Sequence, residues 1–422
     1  MEAEKFNLKL AFCISLFSFA SYVTQPLYSA FVPLLLSRKL EGAAEVGVIL
    51  SFCNLLAMLI HPVVGEISDR TRCRFGRRRP YILSGAVLSG ISFMLIPWLQ
   101  TIGQFSAVLL FYSLALAYWK APVAAIQIDC VKPEHLTQSN AVASCVLALS
   151  SVISYLAGNG LTTSGLDERW VFLFGGASAI ITGGIGCLTV HERDSRKMVL
   201  SNRQKKRKVA EAFLVLDSGE RKKMIVMIFC ILFAFMASYG FEYFFVLFLD
   251  EKMHGASGQA TLYLAAYMTS YLAVSIYFIS TRKNFYPIRM TVISMGTAAG
   301  LLSGVFILCR IETGSLPEIM WIVCILYGVC WGTFNIYIYP LWLTLKKGGH
   351  SGNLMGVYFV CTGLAMTIVP TLYGVIHDLS RTYDTVFAFC GVMFLFAFGM
   401  LKLNERGEKN GDTKSKNFDG AV

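Results

Sequence analysis

Three ionisable side chains sit inside runs of apolar residues: His61 in NLLAMLIHPVVG, Lys120 in LALAYWKAPVAA and Glu242 in ASYGFEYFFVLF. Holding such a group within a bilayer costs about 2.5–3.5 kcal/mol on insertion scales, so each is a candidate for function by default. Their chemistry is the handling of protons and charge. A carboxyl such as Glu242 binds and releases a proton, and an imidazole such as His61 titrates near neutral pH. An ammonium such as Lys120 in an apolar run needs a counter-ion or water. The bland alternatives stay open: a neutral imidazole bonded to a carbonyl is cheap to bury, and Glu242 can snorkel to a surface.

Polar residues around them fall into helical stripes. Ser18, Tyr22, Gln25 and Ser29 are spaced i, i+4, i+7, i+11, which is one face of a helix. Lys120 and Gln127 lie seven apart with Pro122 between them, and Trp331, Asn335, Tyr339 and Trp342 form another stripe. Aromatic faces carrying a few hydroxyl and amide groups suit an oxygen-rich or ring-bearing ligand. The same residue types also serve as interfacial belts and interhelical hydrogen bonds, and for Trp342 the belt is the stronger reading.

The elements that must carry these residues follow from composition. Of 422 residues 55% are hydrophobic and 15% charged, against about 25% charged in soluble domains. Mean hydropathy is +0.58. Apolar runs of a length that crosses a bilayer recur near 9–36, 46–67, 81–99, 105–129, 138–162, 170–190, 224–248, 260–280, 289–309, 318–343, 353–376 and 385–403. Lipid offers the backbone no hydrogen bonds, so each is predicted to be helical, and the chain reads as an all-α polytopic membrane protein with spans 1 to 12. The first run lacks a basic leader with a cleavable site and reads as a retained helix. The twelve cysteines form no C-x-x-C pair, and most sit in apolar runs as small hydrophobes.

Lysine and arginine fix the expected orientation. With the N-terminus inside, cytoplasmic segments hold 30 of them and the other side six: Arg38, Lys39, Arg169, Lys252, Arg310 and Arg381. The basic side faces the cytoplasm, which places both termini there in a cell membrane. The net charge of +11 is thus a topology signal, and nucleic acid is not an expected partner. The expected partners are a small solute, protons and the lipid bilayer, for a chain acting as a monomer without cofactor or metal. A basic connector, 191–223, separates a first six-span half (1–190) from a second (224–403), and a polar tail covers 404–422. Sliding the second half by 215 residues sets Tyr112–His135 against Tyr327–His350 without a gap, with Lys120 opposite Asn335, consistent with a 6+6 repeat.

After span 2 the chain reads GEISDRTRCRFGRRRPYIL. Arginines at a helix end hold orientation and contact lipid phosphates, but that does not explain Asp69 inside the run or Gly65 one turn before it. Gly65, Asp69, Arg70, Gly76, Arg77 and Arg78 follow broadly the pattern G-x-x-x-D-R-x-G-R-R, in a longer form with an extra basic insert between Arg70 and Gly76, which resembles the loop between the second and third helices of the major facilitator superfamily. The R-R-R-P-Y ending resembles its glycoside-pentoside-hexuronide branch, and within that the sucrose-type proton symporters.

The resemblance implies that spans 1, 4, 7 and 10 line a central cavity. It also implies that Asp69 faces the N-terminus of span 11, where orphan N–H groups attract negative charge and Ser351 or Asn353 could cap the helix. Asp129, at the end of span 4, is then the carboxylate met by Arg77 or Arg78. Together these residues would form a cytoplasmic latch that joins the halves when the pore opens outward, with Arg70 a candidate member or a mere anchor. The matching segment after span 8, STRKNFYPIRM, keeps the charge but not the aspartate or glycines.

The sequence departs from sodium-using sugar symporters of that branch, which place acids where Ala57 and His61 stand here, so protons are the expected coupling ion. Tyr22, Gln25, Lys120, Gln127, Glu242, Trp331, Asn335 and Tyr339 are the candidate substrate contacts, and Glu242, His61 and Lys120 the candidate proton carriers. At about 1.5 Å per residue, Lys120 lies about 13 Å from the cytoplasmic end of its span and Glu242 about 27 Å along its own, so they are expected as separate stations and not as an ion pair. The expected function is secondary transport of a sugar, glycoside or organic anion. Alternatives are export of an amphipathic compound and a transporter-shaped sensor or assembly factor. No catalytic motif points to an enzyme.

Overall fold

The computed structural model describes residues 7–131, 136–190, 218–253, 257–281, 287–311, 316–344 and 351–418. Among them all regular structure is helical, and twelve helical stretches are long and apolar enough to cross a membrane. Span 1 is Leu8–Tyr22 followed by Thr24–Ser37, span 2 Ala43–Arg70, span 3 Arg79–Leu95, span 4 Ile102–Cys130, span 5 Leu136–Thr163 and span 6 Arg169–Thr189. Spans 7 to 12 are Ser218–Met253, Ser257–Thr281, Pro287–Arg310, Leu316–Thr344, Ser351–Ser380 and Thr385–Phe418. The protein is a multi-pass membrane protein. Its outer surface has the composition this demands: on span 2, Leu59, Val63 and Ile67 are each at least half exposed at i, i+4, i+8, a stripe tolerable only against lipid, while Cys53, Asn54 and Ser68 point inward and are buried.

Span 1 was expected as one helix and is two. Pro26 has no N–H to give the Tyr22 carbonyl, so the ladder is interrupted beside Tyr22. The helix is broken at Val23, whose carbonyl accepts 2.7 Å from the Ser154 hydroxyl of span 5. The interruption thus falls next to a candidate site residue.

Within the first six spans, span 3 packs on spans 4 and 6, span 2 on span 4, and span 1 on spans 5 and 6. Within the last six, span 12 packs on spans 7 and 9, span 10 on spans 8 and 9, and span 11 on span 7. Three seams join the two groups: span 2 with span 11, span 5 with span 8, and the second helix of span 1 with span 7.

The span 2–span 11 seam is close enough to dictate residue type. A Cβ on Gly47 would lie 2.1 Å from the Pro370 carbonyl oxygen, so only glycine admits the approach. The seam is stitched by Thr371 Oγ1 to Ser51 Oγ at 2.8 Å and by Asn54 Nδ2 to the Met366 carbonyl at 3.0 Å. It runs from Ala43 as far as Met58, which meets Gly363. These contacts lie at the face opposite the arginine-rich loop and reach the middle of the bundle.

Candidate functional site

Near the bundle centre the structure gathers the Tyr22 and Lys120 side chains. The Lys120 Nζ stands 4.8 Å from the centroid of the Tyr22 ring, a cation–π contact worth about 0.5–2 kcal/mol. Its neighbour Trp119 is fully buried and donates Nε1 to Ser89 Oγ of span 3 at 3.2 Å, which fixes the rotation of span 4 around the lysine. His61 of span 2 lies within electrostatic reach of Lys120. Among the described residues, no carboxylate comes within ion-pair distance of the ammonium.

Glu242 occupies the other side of Tyr22. Its Oε1 accepts from Ser238 Oγ one turn earlier at 3.3 Å, and the Tyr267 hydroxyl of span 8 faces the same carboxyl. Tyr22, Tyr155, Tyr239, Tyr243, Tyr267 and Tyr327 all stand within its electrostatic reach. The hydroxyls of Tyr28, Tyr243, Tyr267 and Tyr327 are fully buried and turn toward Ser113, Asn54, Glu242 and Ser238 respectively. Tyr22, Lys120, Tyr239 and Glu242 keep part of their surface accessible despite lying mid-span, so they border space rather than close packing.

The other expected contacts are not all gathered here. Gln25 is partly accessible beside the break in span 1. Gln127 donates to Ser139 Oγ of span 5 at 3.0 Å, within the first six spans, because its position near the span end faces a neighbouring helix. Trp331 is only 6% exposed, stacked on Phe334 at 5.3 Å and set edge-on to Phe235 at 5.1 Å. It is an aromatic wall behind the space, not an open face. The Asn335 amide donates back to the Trp331 carbonyl at 2.9 Å. Trp342 is fully buried and does not form an interfacial belt. The Tyr339 side chain lies outside the described residues. Sequence reasoning passed over Tyr155, Tyr239, Tyr267 and Tyr271. The legible signal was spacing: Tyr263, Tyr267 and Tyr271 recur every four residues on span 8, and Tyr239 and Tyr243 do so on span 7.

At the arginine-rich face, Asp129 is held by two guanidinium groups. Arg77 reaches it through Nη2 at 2.5 Å and Nε at 3.2 Å, and Arg78 through Nε at 3.1 Å. Arg78, 4% exposed, also donates to Ser68 Oγ at 2.6 Å. Gly76 has φ of 98°, a left-handed turn that an L side chain resists, and this turn aims Arg77 and Arg78 at span 4. Arg79 donates to the Cys187 carbonyl of span 6, while Arg70 pairs with Glu66 on its own exposed helix face.

These bonds tie spans 2, 3, 4 and 6 to one another. Among the described residues they brace the first six spans, and the expected link to span 11 falls on Asp69. Short polar links at a helix end reach the nearest helix, and for this loop that is span 4. At Gly65 a Cβ would meet Ala121 of span 4 at 3.9 Å, an ordinary contact. The Asp69 side chain, and those of Ser351 and Asn353, lie outside the described residues. Exchanging Asp129 for asparagine removes the anion shared by two guanidinium groups and is expected to cost roughly 1–3 kcal/mol, read as a lowered melting temperature of the purified protein in detergent.

The model of the Major Facilitator Superfamily matches residues 10–370. The chain belongs to that superfamily. It is a family of transporters and not of enzymes. Curated relatives are similar over short stretches: a general alpha-glucoside permease of Schizosaccharomyces pombe is 28% identical over 120 residues, 25% of this chain and 22% of that protein. The sucrose transport protein SUT4 of Oryza sativa subsp. indica is 24% identical over 141 residues, 28% of this chain and 22% of the relative. The sucrose transport protein SUC4 of Arabidopsis thaliana is 45% identical over 49 residues, 12% and 10% of the two chains. The matched stretch spans about a fifth of the first relatives' length. Among solved structures, the nucleoside transporter NupG superposes with a TM-score of 0.70 at 13% identity, over 93% of this chain and 99% of NupG. A bacterial homologue of the lysosomal transporter Spinster, inward-facing and occupied, gives 0.64 at 13% identity over 95% and 96%. At such identity the likeness is one of fold.

In this superfamily member the face opposite the arginines carries a device the sequence reading missed. Span 2 has Gly42 at its N-cap and no side-chain cap of its own. Asp378, from the end of span 11, supplies one: its two oxygens accept from the Ala43 and Ala44 N–H groups at 2.9 and 3.0 Å, a carboxylate on the positive end of a helix. An aspartate facing a helix N-terminus across the two groups of spans was expected at the basic face, with Asp69 on span 11. The structure shows that arrangement at the opposite face with the spans exchanged. His377 stacks on Tyr383 at 3.9 Å beside it, and Tyr383 N–H donates to Glu251 at 2.9 Å. Burial, with Glu251, Asp378 and Asp250 nearby, pushes the Tyr383 hydroxyl up to about 12, so this ring stays neutral.

Proposed function

We propose that the protein is a proton-coupled secondary transporter that moves a small oxygen-rich solute, a sugar, glycoside or organic anion, by alternating access of two six-helix halves, 1–190 and 224–403. The basic connector 191–223 links them, and 404–422 forms a polar tail. The observation that carries this is Glu242, a partly accessible carboxyl in a ring of tyrosines at the centre of the bundle, across Tyr22 from Lys120. A carboxyl there takes a proton from whichever side the centre faces, and the tyrosine hydroxyls suit a polyhydroxylated solute. That the short matched stretches belong to sugar permeases supports the solute class.

The excess of lysine and arginine on one side supports cytoplasmic termini in a cell membrane, and the seam from Ala43 to Met58 then closes the extracellular side. Export of an amphipathic compound is a second reading, favoured by the aromatic wall of Phe235, Trp331 and Tyr358. Counterflow in proteoliposomes of the purified chain tests the proposal. Exchange of labelled sugar or sugar derivative without a gradient is expected, and ligand binding with no exchange of any solute would replace transport by sensing. Asp69→Asn is expected to slow exchange while affinity stays within a few fold. Loss of binding with an unchanged exchange cycle would remove Asp69 from gating.

A further inference from the structure

We propose that the transported solute carries a carboxylate or phosphate group and that Lys120, with Tyr22 beneath it and His61 beside it, is the anchor for that anion. This rests on the transport reading above and narrows its solute from neutral glycosides to acidic, sugar-like molecules.

The argument is one of charge balance. Several cations at the two faces are answered by carboxylates: Arg77 and Arg78 by Asp129, Arg38 by Glu168, and Arg310 by Asp384. Lys120 is different. It lies mid-span, its ammonium rests on the Tyr22 ring at 4.8 Å, and no carboxylate among the described residues reaches it. A ring face offsets only part of what an ammonium loses on leaving water. His61 stands within its electrostatic reach, and an imidazole adds a donor or a second positive charge, never a negative one.

Glu242, the central carboxyl, is engaged elsewhere, accepting from Ser238 and facing Tyr267. The described residues therefore hold a cation in a space bordered by partly accessible side chains and provide no anion for it. An anionic solute completes the pair.

Tyr22 sets the direction in which such a solute lies. Its ring carries Lys120 while its hydroxyl stands in reach of Glu242 and near Tyr239 and Tyr271. A solute anchored through its acid on Lys120 would extend along Tyr22 and present its hydroxyl groups to Tyr239, Tyr271 and the Glu242 carboxyl. A neutral glycoside leaves the ammonium with the ring alone, and an amine would bring a like charge to it.

The test uses the full chain in detergent and in proteoliposomes, with glucuronate, glucose 6-phosphate and methyl glucoside as probes. Glucuronate or glucose 6-phosphate is expected to bind and exchange at least tenfold better than methyl glucoside, and which acid wins distinguishes carboxylate from phosphate. Lys120→Gln is expected to lower affinity for the acid ten- to a hundredfold and affinity for methyl glucoside by far less, and Lys120→Arg to restore part of the loss. Methyl glucoside exchanging as well as the acids, or Lys120→Gln weakening all three alike, would overturn the anion anchor and leave the transport reading standing. No exchange of any probe by the unaltered protein would overturn both.

Discussion

Replacing Glu242 by glutamine is expected to abolish accumulation driven by a proton gradient while leaving exchange intact. Glutamine keeps the side chain's length and its bond with Ser238 but has no group that ionises near neutral pH. If one proton moves with each solute, every pH unit across the membrane is worth about 1.4 kcal/mol, or roughly tenfold accumulation. Proteoliposomes buffered at pH 7.5 inside and 6 outside would then concentrate labelled solute by more than tenfold with the native chain, and the variant would stop at equal concentrations. The sign follows from the carboxyl: protons enter on the acidic side and leave on the other, so the solute accumulates away from acid. Uphill movement by Glu242→Gln that still tracks the pH difference would remove Glu242 as the coupling group.

Gly47→Ala is expected to shift the conformational balance away from the closed seam between spans 2 and 11. In a helix free of neighbours, this change is stabilising by about 0.5–1 kcal/mol. Here the added carbon would lie 2.1 Å from the Pro370 carbonyl oxygen and 2.5 Å from its carbon, backbone atoms with no rotamer to change. Overpacking costs about 1–3 kcal/mol, so the population of the closed seam relative to the open one would fall roughly five- to a hundredfold. Asp378 would release the N-terminus of span 2 as the spans part.

Cys53 is a native reporter, 2% exposed beside this seam. Its modification by a membrane-impermeant maleimide, followed by peptide mass spectrometry, is expected to rise severalfold in Gly47→Ala. Unchanged labelling at Cys53, with the variant folded, would show that the seam does not part in the transport cycle.

Several elements of this architecture were readable before any coordinates. Twelve apolar runs, the helical state of each and their basic side follow from one fact about the solvent: hydrocarbon cannot bond a peptide group or hold a charge cheaply. The pairing of Arg77 and Arg78 with Asp129 was also legible, because loop and span end are near in topology and opposite in charge. For Trp331 and Gln127 the sequence was less informative. A stripe gives the face a residue occupies but not what that face meets, and here it met Phe334 and Ser139.

The centre of the bundle was half legible. Sequence alone determined that Lys120, His61 and Glu242 must lie in the membrane and be answered by something, since burial of a charge is a local cost that each residue carries wherever its helix goes. Tertiary structure decided who answers. Tyr22 came under Lys120, Ser238 and Tyr267 went to Glu242, and Asp378 took the helix end of span 2. Such pairings depend on the rotation and depth of each helix against its neighbours. Those are set by close contacts such as Gly47 on Pro370, between residues more than three hundred positions apart, where no periodicity within one helix carries the information.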